Sequence, residues 1–286
     1  AVILAQRDGF SVAGSGRLFN MLTELKYQSN QVDGIGEATL SLNARGGLDH
    51  FHKLSSDLGI SDLGVLNLVD IDMSGNADLS LLAKFPTGRK LTMADVDLSL
   101  DMLVSEGNFA NIPGVGRIND AELVAAFSRQ GASLSGSAKL FSVPADLLVQ
   151  FDQSAESLMA RASFDPSANL AKLVADRLGI DVDGRIGGKI VLNSDLALKE
   201  IDLGTSLDFE QASFSVSTLG WAKLPGEAGT AAMRFRLKDG GLRSIEDIDI
   251  KSSSLGARGR VVFDETQKDP LMLKTAAFTR AVWPGN

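Results

Sequence analysis

The segment "DVDLSLDM", Asp95 to Met102, alternates polar and aliphatic residues at every step. Val96, Leu98, Leu100 and Met102 fall on one side; Asp95, Asp97, Ser99 and Asp101 fall on the other. Successive side chains of an extended chain point to opposite faces, so a period of two fits a strand with one wet face and fits no helix. "EATLSLNAR" does the same, with Ala38, Leu40, Leu42 and Ala44 opposing Glu37, Thr39, Ser41 and Asn43. "KIVLNSDLAL", "SLDFEQASFSVS", "AAMRFRLKDG", "IEDIDIKS" and "ARGRVVF" continue it. Turn-forming clusters such as "DGIG", "MSGN", "PTGR", "LPGEAG" and "KDGG" separate the runs. The pattern predicts a mainly β chain of antiparallel strands.

Two segments break the rule. "LDHFHKLSSDLGI" places Phe51, Leu54 and Leu58 at helical spacing, and "SANLAKLVADRLGI" does so with Leu170, Leu173, Val174 and Leu178. Both read as short amphipathic helices. Each ends in Leu-Gly-Ile, where glycine just past the last turn is the usual stop. Ser167 and Asn169 both suit the N-cap of the second helix.

The chain also repeats itself. "FSVAGSGRLF", Phe10 to Phe19, returns as "ASLSGSAKLF", Ala132 to Phe141, and a third echo is "SSLGARGRVVF", Ser253 to Phe263. Leu58-Gly59-Ile60 returns as Leu178-Gly179-Ile180. The expected unit is several strands, a reversal and one short helix. The boundaries read as the end of one unit over 1–30, a second over 31–152 and a third over 153–286, an internal piece of a longer repeat protein. Repetition without a break implies units that stack. Two short helices are too little cover for so many one-sided strands. The apolar face is then expected either to fold on itself or to line something.

Composition narrows the function. The net charge of −8 opposes a nucleic-acid partner, which needs a basic face. No cysteine is present, so thiolate metal sites, disulfides and cysteine nucleophiles are excluded. With two His and one Tyr, general bases for neutral pH are few. "DIDMSGNAD", Asp70 to Asp78, imitates a calcium loop, but its twelfth position is Leu81 where a bidentate Glu is required. His50 and His52 diverge on a helix and have no third ligand nearby. The acids Asp95, Asp97 and Asp101, and Glu246, Asp247 and Asp249, alternate with aliphatics as a solvated strand face does, more simply than as glycosidase carboxylates. "GSGRLF" lacks the third glycine of a dinucleotide fingerprint. Trp221 ends a strand before a Pro-Gly turn, where packing against a sheet corner is the ordinary role. The reading therefore includes no catalytic residue, metal or cofactor.

The stretches "LSLLAKFPTGRKLTMADVDLSL", "FANIPGVGRINDAELVAAFSRQGASLSGSAKLFSVPADLLVQF", "DVDGRIGGKIVLNSDLALKEIDLGTSLDFEQASFSVSTLGWAKLPGEAGTAAMRFRL" and "LRSIEDIDIKSSSLGARGRVVFD" resemble the YhdP-like branch of the AsmA-like proteins of Gram-negative bacteria. The likeness runs from about Val32 to Asp264. It lies in repeat grammar, not in a catalytic signature. The resemblance implies an elongated, strongly bent antiparallel sheet forming an open apolar groove. It implies a periplasmic protein, tethered to the inner membrane by an anchor outside this segment, that moves phospholipids toward the outer membrane.

Resemblance and alternation together lead to one expectation: a groove segment that shields acyl chains in transit. The expected lining is Ala38, Leu40, Leu42, Val96, Leu98, Leu100, Met102, Ile190, Leu192, Leu207, Phe209, Met233, Phe235, Leu237, Ile248 and Ile250. A structural or chaperone-like module for outer-membrane assembly, with envelope proteins as partners, is the alternative. An enzyme acting on an envelope polymer fits least.

Overall fold

A computed structural model of the chain describes residues 2–6, 9–32, 35–51, 72–92, 95–112, 116–178, 180–216, 221–239, 241–263 and 273–282. It is mainly β, with 79% of the described residues in strands, and its large antiparallel sheet is not closed into a barrel. Two compact units divide the chain, one comprising Ala1–Lys139 with Asp152–Ser154, the other Leu140–Phe151 with Ala155–Asn286.

In the first unit, eight strands lie side by side in chain order. They are β1 (Val2–Gln6), β2 (Gly9–Leu18), β3 (Met21–Val32), β4 (Ile35–Gly47), β5 (Asp72–Thr87), β6 (Asp97–Ile112), β7 (Gly116–Ser128) and β8 (Gly131–Leu140). Short connections join β1 through β4 and β6 through β8. Residues 48–71 separate β4 from β5, and the expected turn "MSGN" lies within β5.

The second unit holds β9 (Val143–Asp152), β10 (Ser157–Ser167), helix α1 (Ala168–Leu178), β11 (Asp181–Gly184), β12 (Ile186–Asp195), β13 (Glu200–Asp208), β14 (Ala212–Val216), β15 (Trp221–Lys223), β16 (Gly229–Lys238), β17 (Gly241–Ser252), β18 (Gly256–Phe263) and β19 (Leu273–Val282). Its larger sheet runs β9-β10-β12-β13-β16-β17-β18-β19. The short strands β11, β14 and β15 form a small sheet of their own.

Helix α1 starts where capping chemistry starts it. The Ser167 hydroxyl accepts from the Leu170 N–H at 3.2 Å, so Ser167 and not Asn169 is the cap. At the other end the Ile180 N–H donates to the Ala175 carbonyl at 3.4 Å, the long closure of a Schellman stop. Leu170 and Ala171 are buried. A second helical segment begins at 48–51 with Leu48 and Phe51 buried. Leu54 and Leu58 lie outside the described residues.

The repeated stretch is a strand in both copies. Residues 10–18 belong to β2, and residues 132–140 belong to β8. Each strand leads into two consecutive left-handed residues: Phe19 and Asn20 (φ 49° and 64°), then Phe141 and Ser142 (φ 52° and 66°). Two positive φ angles in a row are the mark of a type I′ turn, whose twist suits the flanking strands. Asn favours this geometry and Phe does not. Both phenylalanines are also well exposed, at 42% and 43%. The third echo covers β18, and the chain beyond Phe263 lies outside the described residues until β19.

Both units carry register irregularities, and in the first they gather on β6. β6 slips register against β5 between Ser74 and Asn76, and against β7 between Val104 and Gly107. Glu106 sits at φ 53° in the bulge, and its N–H donates to the Glu122 carboxylate at 2.8 Å. Gly136 of the repeated stretch lies beside the same place. It has φ 145°, and a Cβ there would meet the Glu122 carbonyl oxygen at 2.0 Å. At Gly16, two residues along the other copy, a Cβ would meet nothing within 4 Å. Gly136→Ala is therefore expected to destabilise the chain by roughly 1–3 kcal/mol, and Gly16→Ala by less than about 0.5 kcal/mol. Urea unfolding of the two variants against the parent measures the difference.

Candidate functional site

The cross-strand register turns sequence alternation into surfaces. In the first unit, Leu25, Leu42, Leu81, Leu100 and Phe127 are successive partners from β3 to β7. Beside them run Tyr27, Leu40, Ala83 and Leu98 on one flank, and Ala44, Leu79, Met102 and Ala125 on the other. Ala38 faces Phe85 one step further out. With strands about 4.8 Å apart, the five-residue row spans about 19 Å of almost unbroken hydrocarbon. Ala38 is buried, and Leu40, Leu42, Leu98, Leu100 and Met102 are half-buried. Val96 is half-buried just before β6 and has no strand partner.

The second unit builds the same kind of face. Ala160, Leu192, Leu203, Phe235, Ile245 and Val261 are successive partners across β10, β12, β13, β16, β17 and β18. Ile190, Thr205 and Met233 form a neighbouring row, and Leu207, Ala231 and Ile250 another. Leu237 pairs with Ile201 and Leu242. Ile248 faces Gly259 and is buried. The proposed lining residues on these strands are thus neighbours in space within each unit. Phe209 stands apart, because it follows β13 and is buried with its ring 5.0 Å from that of Phe214.

Ile245 was not among the expected lining residues. Strict alternation from Ile248 assigns Glu246 to its face and sends Ile245 to the other. A bulge at Asp247, φ 51°, adds one residue and restores Ile245 to the apolar side. The readable signal is a spacing of three between isoleucines where two is the rule. Leu79, Leu81 and Phe85 carried the ordinary signal in "ADLSLLAKF".

The opposite faces are polar. In the second unit, Arg234 approaches Asp202 at 3.3 Å and Asp247 at 3.7 Å, Arg236 approaches Glu246 at 3.1 Å, and Lys238 approaches Glu200 at 3.4 Å. Asp249 lies between Lys251 at 2.8 Å and Arg258 at 3.0 Å. Hydrogen bonding from Lys251, seconded by Arg258, holds its carboxyl below the usual carboxylate range. Pairs this exposed add little stability each. They do fix which face meets water. The acids weighed earlier as catalytic pairs lie here: Asp97 and Asp101 are exposed, and Asp95 accepts hydrogen bonds from the Thr92 N–H and hydroxyl.

The calcium-loop imitation is a strand over its described part. Asp72 accepts from the Asn111 side chain at 2.9 Å, and Asp78 accepts from Arg45. Asp70 and His52 lie outside the described residues. Among the described residues, no group of three or more acids or histidines is placed to hold a metal ion, and no helix is long and apolar enough to cross a membrane.

Trp221 is buried, and its indole N–H donates to the Ser254 hydroxyl at 3.0 Å. Its neighbour in the small sheet is unusual. Lys223 is 1% exposed, and its ammonium donates to the carbonyls of Ala212 at 2.9 Å, Leu224 at 3.0 Å and Glu210 at 3.3 Å. Three acceptors match the three donors of an ammonium, so the buried charge is satisfied. Burial nevertheless pushes its pKa down, against the pull of Glu227 and Glu210. The folded state thus releases this proton at lower pH than the unfolded chain does, so its contribution to stability rises as pH climbs toward the ordinary lysine value. Replacing Lys223 with Met removes the donor from three carbonyls. In a Trp283→Phe background, Lys223→Met is expected to cost about 1–3 kcal/mol and to shift Trp221 emission to the red as the small sheet loosens. Denaturation followed by that emission checks it.

No protein-family profile matches the chain, and neither the curated proteins nor the solved structures give a match.

Proposed function

We propose that the aliphatic rows of both units bind the acyl chains of phospholipids, and that the chain is a segment of a periplasmic conduit between inner and outer membrane. The observation that carries the reading is the register itself. It brings aliphatic side chains from five or six strands into contiguous rows, which remain half-exposed among the described residues. Each methylene taken from water is worth about 0.8 kcal/mol, so a tail gains binding energy from a hydrocarbon row without a dedicated site. Neighbouring positions along such a row offer nearly equal energies, and a bound tail can therefore slide. The polar faces, laced with ion pairs, keep the same strands in contact with water. Catalysis has no part in this proposal. The membrane setting follows from the resemblance described above.

The chain has no native cysteine or crowded tyrosines to complicate labelling. A photo-crosslinking side chain placed at Leu98 or Phe235 is expected to capture phospholipid in cells. The same group at Asp97 or Arg234 is expected to capture little. Equal capture from both sets would overturn the reading, and capture of protein alone from Leu98 and Phe235 would favour the chaperone-like alternative.

A further inference from the structure

The polar face of the first unit departs from the alternation that builds it. Leu22, Leu103 and Val124 lie on that side, and they are 57%, 50% and 53% exposed. Register places them in one row across six strands, in the order Arg17, Leu22, Arg45, Asp78, Leu103, Val124. The next row carries Glu24 and Asp101 among small polar residues. The two rows line a concavity of about 870 Å³. Exposed aliphatics scattered singly need no explanation. Three in one row of a concavity, rimmed by charge, are the signature of a contact surface.

The chemistry of the row narrows what fits. Arg45 and Asp78 interrupt it and neutralise each other through paired hydrogen bonds. A lipid tail would have to cross that ion pair, which the rows of the opposite face do not require. A face of a sheet has its backbone N–H and C=O groups committed to neighbouring strands, so an added strand finds no ladder to join. A helix satisfies its own backbone and needs only side-chain contacts. Five strand steps cover about 24 Å, the length of roughly sixteen helical residues. Leu22 and Leu103 are three steps apart, about 14 Å, close to the separation of helix positions ten apart. Glu24 and Asp101 on the flanking row call for basic partners beside the apolar stripe.

We infer that this concavity docks an amphipathic helix of a protein partner. The helix seats an apolar stripe on Leu22, Leu103 and Val124 and sets lysines or arginines against Glu24 and Asp101. The two rows lie on the face opposite the proposed lipid rows, although Ala44, Leu79 and Met102, which alternate with them along the strands, also bound the concavity. The test does not depend on the lipid proposal.

The probe is a synthetic sixteen-residue helical peptide with a leucine stripe flanked by lysines, titrated by fluorescence anisotropy against the whole chain. A control peptide carries glutamates in place of the lysines. The lysine peptide is expected to bind at least about tenfold more tightly than the control. Leu103→Glu and Val124→Lys are each expected to weaken it about tenfold or more, whereas Leu100→Ser on the opposite face leaves it unchanged. Circular dichroism and thermal melting establish that each variant is folded, and the substituted residues of the docking face are already exposed. Absence of binding, or equal binding of the two peptides, would overturn the inference. So would a loss caused by Leu100→Ser and not by Leu103→Glu. Sedimentation showing that Leu103→Glu alone converts a dimer to a monomer would assign the surface to a second copy of the chain and overturn it equally.

Discussion

A side chain on a β-strand has two directions open to it, and a slip of one residue exchanges them for the whole strand. That constraint governs everything else in this chain. Aliphatic side chains at every second position have a defined side only while each strand keeps its register with its neighbours. In return, they make register costly to lose, because a slipped strand would push leucines into water and bring aspartates among hydrocarbon. The ion pairs of the polar faces add little energy individually. Their geometry nonetheless penalises the same slip, since Arg234 and Asp202, or Arg258 and Asp249, meet only in one register.

The ends of the strands obey different chemistry. There the chain must satisfy backbone groups that no neighbouring strand reaches. Ser167 does this for helix α1 with one hydroxyl, and Lys223 does it for the small sheet with one ammonium and three carbonyls. A buried lysine needs such an arrangement, because an unpaired charge there would cost more than the small sheet could recover. Trp221, Phe214 and Phe209 then pack around it as a local core.

Much of this was legible in the sequence because alternation and strand direction are the same fact seen twice. The mainly β class, the second helix with its Leu-Gly-Ile stop, and the shared face of Leu40, Leu42, Leu98 and Leu100 all follow from local pattern. Three things did not. The position of Ile245 depends on a bulge, and a bulge is visible in sequence only as a broken rhythm. Phe209 kept the rhythm but left the strand, turning into an aromatic cluster whose members are distant enough in sequence to be invisible to a short window. Leu22, Leu103 and Val124 looked like noise one strand at a time. They become a row only when the pairing of six strands is known.

The bulges carry a consequence for how such a chain can change. In a regular strand, gaining or losing one residue inverts all that follows. In β17 the extra residue at Asp247 already separates two stretches that face the same way, Ile245 on one side and Ile248 with Ile250 on the other. Removing one residue there would restore a regular ladder and leave all three isoleucines on the apolar side. Such places act as tolerances in an otherwise strict assembly. They are where the length of a repeat can drift between copies while the inside of the sheet stays inside.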